Sequence, residues 1–289
     1  MPRLISLVEN QPNIAIQILE KVIPKSIPVI GITGPPGAGK STLLSGTIKY
    51  LRSLGKKIAV LAVDPSSPFS KGSLLGDRIR MQNHALDRDV FIRSLSSRGI
   101  LGGLSAATSE VLALLQGFNF DYIFIETVGV GQSEIEIMGM ASCVAVVLVP
   151  ESGDEIQTIK SGLIEIADIL VVNKSDRDGA NKLFGILQGM LHEKENTQTG
   201  LVKTSAEKGI GIAEFFETCE KQIRNISKQK RAFQLANRIY QILANKRMLD
   251  FDRELIEKKI LKFMDEPGFN LYQFINQITP FLLIMFLYS

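Results

Sequence analysis

Up to Ser205, short runs of near-continuous apolar residues recur along the chain. Each is long enough for a strand and too short for a helix: Pro28–Thr33, Ile58–Val63, Val90–Ser94, Tyr122–Ile125, Cys143–Val149, Ile169–Asn173 and Leu201–Ser205. Between them, apolar positions fall at helical spacing near Lys40–Leu54, Leu104–Gln116, Glu134–Ala141, Glu155–Ile166 and Ala180–Leu191. Strands without polar alternation are covered on both faces, and strands alternating with helices predict an α/β fold with a mostly parallel sheet. After Ile212 the strand pattern stops. Leu235, Ile239 and Ile242 then keep helical spacing as far as a break at Pro267-Gly268. The opening MPRLISLVENQPNIAIQIL reads as an amphipathic helix, without the long apolar core or small-residue cleavage site of a signal peptide. The pattern divides the chain into a helical segment (1–26), a sheet domain (27–222) and a C-terminal helical extension (223–289).

Composition narrows the function classes. A chain of 289 residues that is 45% hydrophobic and 22% charged can bury a full core and is globular. Its 33 basic and 30 acidic residues leave a net charge of +3, too mild to indicate a nucleic-acid surface. The basic stretch from Lys221 to Lys262 is interleaved with Asp250, Asp252, Glu254 and Glu257, and reads as a solvated helical face. Cys143 and Cys219 lie far apart, so no disulfide framework is built and a reducing cytoplasm is expected. Ile278–Tyr288 is apolar, but it is eleven residues long and contains Pro280. A spanning helix needs about 20 apolar residues, so packing or an oligomer contact is expected there.

The strongest chemical signal is GPPGAGKS, Gly34–Ser41, lying between the strand IPVIGIT and the helix STLLSGTIKYL. This spacing is that of a P-loop. Along Gly34, Pro35, Pro36, Gly37, Ala38 and Gly39, the glycines let backbone N–H groups turn inward around phosphate oxygens. The helix N-terminus at Lys40, Ser41 and Thr42 adds partial positive charge. Lys40 is expected on the β/γ-phosphates, and the Ser41 hydroxyl on Mg²⁺. Further on, NKSD (Asn173, Lys174, Ser175, Asp176) ends the strand DILVV. An aspartate there can accept from guanine N1–H and its exocyclic amine, a donor pair that adenine lacks, so Asp176 favours GTP over ATP. The following Thr204-Ser205-Ala206 turn is expected to meet the guanine O6 edge through its backbone.

Two acids end strands beside this loop: Asp64 in VLAVDPSS and Glu126 in FIETVG. At the carboxyl edge of a parallel sheet they face the ligand crevice, where hard oxygens suit Mg²⁺. The alternative is that each merely caps the loop that follows. Gly129 can offer its N–H to the γ-phosphate, and losing that contact on hydrolysis would release Val128–Ser133. Gln157 and Lys160 fall three apart on one helical face, and by spacing alone they read as solvated surface.

Taken in order, GITGPPGAGKSTLL, VLAVDPSSPFSKGSLLGDRIRM, FIRSLSSRGILGGLS, DYIFIETVGVGQSE, VPESGDEIQTIKSGLIEIADILVVNKSD and TSA closely resemble the MeaB/ArgK-type GTPases. These are G-protein chaperones of adenosylcobalamin-dependent methylmalonyl-CoA mutase, in the signal-recognition-like (SIMIBI) class, and an older family name is LAO/AO transport system kinase. The resemblance spans roughly Arg3 to Asp265. It implies GTP/GDP and Mg²⁺ as ligands, Asp64, Asp77 and Glu126 around the metal and attacking water, and Gln157 and Lys160 in a third switch segment that reports the nucleotide state to the mutase. It implies a homodimer built through C-terminal helices, although NLYQFINQITPFLLIMFLYS departs from the family's usual end and the N-terminal extension is short. No glutamine follows Gly129, so Asp64 becomes the candidate for orienting water. The expected function is slow GTP hydrolysis that gates cofactor loading and protection of a B12-dependent acyl-CoA mutase. Two rivals stand beside it. One is a nickel-insertion GTPase of the same class, although His84, His192, Cys143 and Cys219 lack ligand spacing. The other is a kinase of an amino-acid-binding transport protein, although Asp176 predicts GTP as the substrate.

Overall fold

The computed structural model describes residues 1–64, 84, 86–96, 106–127, 137–150, 166–193, 198–248 and 260. The chain forms two compact units, Met1–Tyr240 and Gln241–Ser289. In the second, the described residues are the end of one helix and Ile260.

Seven strands make the sheet of the first unit: β1 (Val29–Thr33), β2 (Ile58–Asp64), β3 (Val90–Ser96), β4 (Tyr122–Thr127), β5 (Cys143–Leu148), β6 (Ile169–Val172) and β7 (Gly200–Lys203). Their order is β3-β2-β4-β1-β5-β6-β7, and every neighbouring pair is parallel. The helices are α1 (Pro2–Asn10), α2 (Pro12–Leu19), α3 (Lys40–Ser53), α4 (Ala106–Leu115), α5 (Ala180–Glu193), α6 (Ile212–Arg224) and α7 (Lys228–Met248). This is the α/β architecture expected from the apolar runs. Of the expected helix at Glu134–Ala141, the described part is a helical turn at 137–140, and 155–165 lie outside the described residues.

The continuous apolar strands have the predicted consequence, because alternate residues feed two cores. On one face Val144, Val146 and Leu148 of β5 join Leu61, Ile125 and Leu170, covered by α1, α4 and α5. On the other, Cys143, Ala145 and Val147 join Ile32, Val60 and Phe124, covered by α3 and α6. Both cysteines are free and buried in this second layer, where burial first and the neighbouring Cys143 next push the Cys219 thiol up.

The N-terminal segment differs from the single helix its pattern predicts. It is two helices, with Gln11 extended between them (φ −134°, ψ 84°). Pro12 is the cause: it removes an amide donor and disfavours helical geometry in the residue before it. Ile5, Val8 and Ala15 are nevertheless buried against α4, so both pieces belong to the core.

Helix α7 is fastened to the amino edge of the sheet. Lys230 Nζ sits 2.6 Å from each oxygen of Asp168, whose Oδ2 also accepts from the Val144 N–H at 2.8 Å. One turn on, Gln234 Nε2 donates to the carbonyls of Met138 (3.0 Å) and Ala141 (2.6 Å). Among the described residues no helix is long and apolar enough to cross a membrane.

Candidate nucleotide-binding site

The strand order reverses around β1. The chain leaves it for β2 on one side and later crosses to β5 on the other, which opens a crevice at the carboxyl ends. The loop Gly34–Gly39 fills that crevice between β1 and α3. Its first glycine has φ +138°, and a Cβ there would lie 2.2 Å from the Val147 carbonyl oxygen. Its last has φ +84°, and a Cβ there would lie 2.4 Å from Asn173 Nδ2. Both positions therefore require glycine for close backbone approach as well as for conformation. Pro36 and Gly37 form the exposed tip of the loop, whereas Ala38 is buried.

Lys40, only 6% exposed, folds back over the loop and donates to the carbonyls of Gly34 (2.8 Å) and Pro35 (2.9 Å). This arch places an ammonium over the cradle. Ser41, the next residue of α3, donates its hydroxyl to Glu126 Oε1 at 2.6 Å. Glu126 is buried in β4, in register with Ile32 of β1 and Ala62 of β2. Beside it Thr127 donates to Thr33 at 3.0 Å, tying the two strand ends together. Asp64 ends β2 at the same edge, two residues beyond the partner of Glu126. Asp77, Gly129, Gln157 and Lys160 lie outside the described residues.

The second half of the site comes from the ends of β6 and β7. Asn173, 2% exposed, bridges the halves: its Nδ2 donates to Ala38 O (2.9 Å), and its Oδ1 accepts from Thr204 Oγ1 (3.0 Å) and the Ala206 N–H (3.1 Å). It is a strut between the loop and the Thr204-Ser205-Ala206 turn. Lys174 follows with φ 54°, a left-handed geometry costly for a residue with a side chain and frequent at functional loops. Asp176 accepts from Ser205 Oγ at Oδ1 (2.6 Å) and from Lys208 Nζ at Oδ2 (2.9 Å). The Ser205 hydroxyl first and the Lys208 ammonium next hold this carboxyl down at about 2, so it is ionised throughout the physiological range.

A cavity of about 300 Å³ joins the halves, running from Lys40, Ser41 and Thr42 to Lys174, Asp176 and Ala206. One end is cationic and amide-lined, and the other presents a fixed carboxylate. Arg177 and Glu207 also face it, and Lys208 touches Asp176 from its rim. These three residues were not legible beforehand, because single charged residues in loops carry no spacing signal.

The site also fits a divalent cation. Ser41 and Glu126 form a pair of hard oxygen donors at the phosphate end, and Mg²⁺ commonly takes one or two protein ligands and completes its shell with phosphate and water. Among the described residues no group of three or more His, Cys, Asp or Glu is placed to hold a metal by itself.

A glycine cradle with its lysine arch, set at the switch point of a parallel sheet, defines the P-loop nucleotide hydrolases. Within that class the chain belongs to the family described as methylmalonyl-CoA mutase-associated GTPase MeaB, whose family model matches residues 1–260, and it is a P-loop GTPase. It is 49% identical over 223 residues to a Pyrococcus horikoshii protein provisionally designated a GTPase, a match covering 74% of this chain and 70% of that one. It is 42% identical over 196 residues to the mouse protein named methylmalonic aciduria type A homolog, mitochondrial, covering 65% of this chain and 47% of the relative. Among solved structures, the LAO/AO transport system kinase superposes with a TM-score of 0.64 at 25% identity, covering 98% of this chain and 92% of that one.

Proposed function

We propose that the protein binds GTP with Mg²⁺, hydrolyses it slowly, and uses the cycle to gate the loading and protection of adenosylcobalamin in a B12-dependent acyl-CoA mutase such as methylmalonyl-CoA mutase. The observation that carries the nucleotide half is the single cavity with Lys40 and the Ser41–Glu126 pair at one end and the clamped Asp176 at the other. The family membership supports the client.

In this reading the Gly34–Gly39 amides and Lys40 hold the phosphates, and most of the catalysis is positioning and charge neutralisation. Ser41 and Glu126 would hold Mg²⁺ with Asp64 and Asp77 around it. The cation would supply charge stabilisation on the β- and γ-phosphate oxygens. Asp64 would orient the attacking water. Asp176 accepts from the guanine edge, and Asn173 keeps the base and phosphate halves at a fixed separation. Gly129 would sense the γ-phosphate, and Gln157 and Lys160 would report the state to the mutase. The working form is a cytoplasmic homodimer, with residues 223–289 as its arm.

The test is a pull-down of purified adenosylcobalamin-dependent mutases by the protein loaded with GDP or a non-hydrolysable GTP analogue. Nucleotide-dependent capture, with faster GTP turnover in the presence of the mutase, is the expected result. A mutase that is neither captured nor changes turnover in either state removes the client.

A further inference from the structure

Asp176 is clamped twice from one turn. Ser205 holds Oδ1 and Lys208 holds Oδ2. These residues are the two ends of the 3₁₀ turn that carries Ala206, closed by the Lys208 N–H donating to Ser205 O at 3.0 Å. The turn is itself stapled: Ser205 and Ile210 exchange backbone hydrogen bonds of 3.0 and 3.1 Å. Both side chains that reach Asp176 therefore spring from one braced turn.

An aspartate carboxylate rotates readily about its terminal bond, so one hydrogen bond fixes its position and leaves its plane free. A second donor on the other oxygen fixes the plane. Each carboxylate oxygen accepts in two directions, so both clamps can persist while one direction on each oxygen stays open. Two open directions in one plane match a pair of parallel donors, which guanine presents and adenine does not. The pair is partly exposed, with 58% of the Lys208 side chain and 30% of the Asp176 side chain accessible, so it adds little to fold stability. Its effect is on orientation.

We propose that Lys208 is a specificity-determining positioning residue, which sets the plane of Asp176 for guanine and against adenine. This rests on the reading of Asp176 as the base-recognising group. Lys174, Arg177 and Glu207 line the same cavity, while Ser205 and Lys208 donate to the two Asp176 oxygens.

Equilibrium binding of GDP, ADP and XDP to the full chain and to Asp176→Asn, Lys208→Met, Lys208→Arg and the Asp176→Asn/Lys208→Met double variant tests it. Asp176→Asn should transfer preference from GDP to XDP, because an amide offers xanthine the donor it needs. Lys208→Met should weaken GDP by about fivefold, the scale of one exposed charged contact, and leave ADP unchanged. Lys208→Arg should recover most of the loss. In the Asp176→Asn background, Lys208→Met should have no effect on XDP, a coupling that a general loss of structure would not produce. A switch to XDP in Asp176→Asn, together with unchanged GDP affinity in Lys208→Met, overturns the proposal and keeps the base reading. An Asp176→Asn protein that still prefers GDP overturns both. Equal weakening of GDP, ADP and XDP by Lys208→Met overturns the positioning role alone.

Discussion

Two carboxyls are displaced in opposite directions, and the contrast separates a site acid from a packing acid. Asp176 is held at about 2 by hydrogen bonds to its charged form. Its folded value lies below the ordinary one, so its contribution to stability is present above about pH 4 and is lost as pH falls toward 2. Glu110 on α4 is pushed up to about 7 by burial. Between its unfolded value, near 4.3, and 7, the folded chain binds the extra proton, so stability falls as pH rises through that window. Glu110→Gln should therefore flatten the pH dependence of the melting temperature between about 5 and 8, with a gain of about 3 °C at pH 8 and little change at pH 5. A thermal-shift series in buffers of constant ionic strength reads this directly. The gain is kept small because Glu110 is only partly buried. Neither shift could be read from sequence, where a lone glutamate on an apolar helix and an aspartate in NKSD show no surroundings. The P-loop and NKSD themselves were legible, because each packs its chemistry into adjacent residues. The Ser41–Glu126 pair, 85 positions apart, joins the first turn of α3 to the end of β4, a contact that only the fold supplies.

At the scale of elements, the strands were legible within one or two residues because burial on both faces leaves an uninterrupted apolar run. Helices were less so. The Pro12 break divides a continuous amphipathic pattern, and periodicity does not register a missing donor. The packing of α7 was also hidden, since Lys230 and Gln234 look like surface residues on a polar helix. In the fold they fasten it, and Gln234 caps the carbonyl end of the helical turn at 137–140. That turn supports Gly31 of β1 directly, with Ile137 Cδ1 only 2.7 Å from where a glycine Cβ would stand. Gln234→Leu removes both bonds and leaves two carbonyls without this donor. It should cost about 1–2 kcal/mol in urea unfolding, with an unchanged m-value. Lys230→Met in the same assay reports the Asp168 anchor separately, and the pair should be less than additive because the two residues grip one helix turn apart.

For the molecule as a whole, the site is assembled from both sides of β1, and the Asn173 side chain bonds both halves. A nucleotide that spans the cavity binds the folded form alone and stabilises it by mass action. At about 100 times its dissociation constant the effect is about 2.7 kcal/mol, or roughly 5–10 °C for a domain of this size. GDP with Mg²⁺ should give that shift, and ADP at the same concentration should give far less. Asn173→Ala breaks the strut without removing a phosphate or base contact. Its unliganded melting temperature should fall through the loss of three buried hydrogen bonds, and the GDP-induced shift at equal concentration should shrink as well, because part of the binding energy must then reorder the two loops. A lowered baseline with an undiminished shift would mean that the two halves are held together by the sheet alone. A reduced shift that higher GDP restores identifies Asn173 as the element that prepares the cavity for its ligand, through the distance it fixes between Ala38 and Ala206.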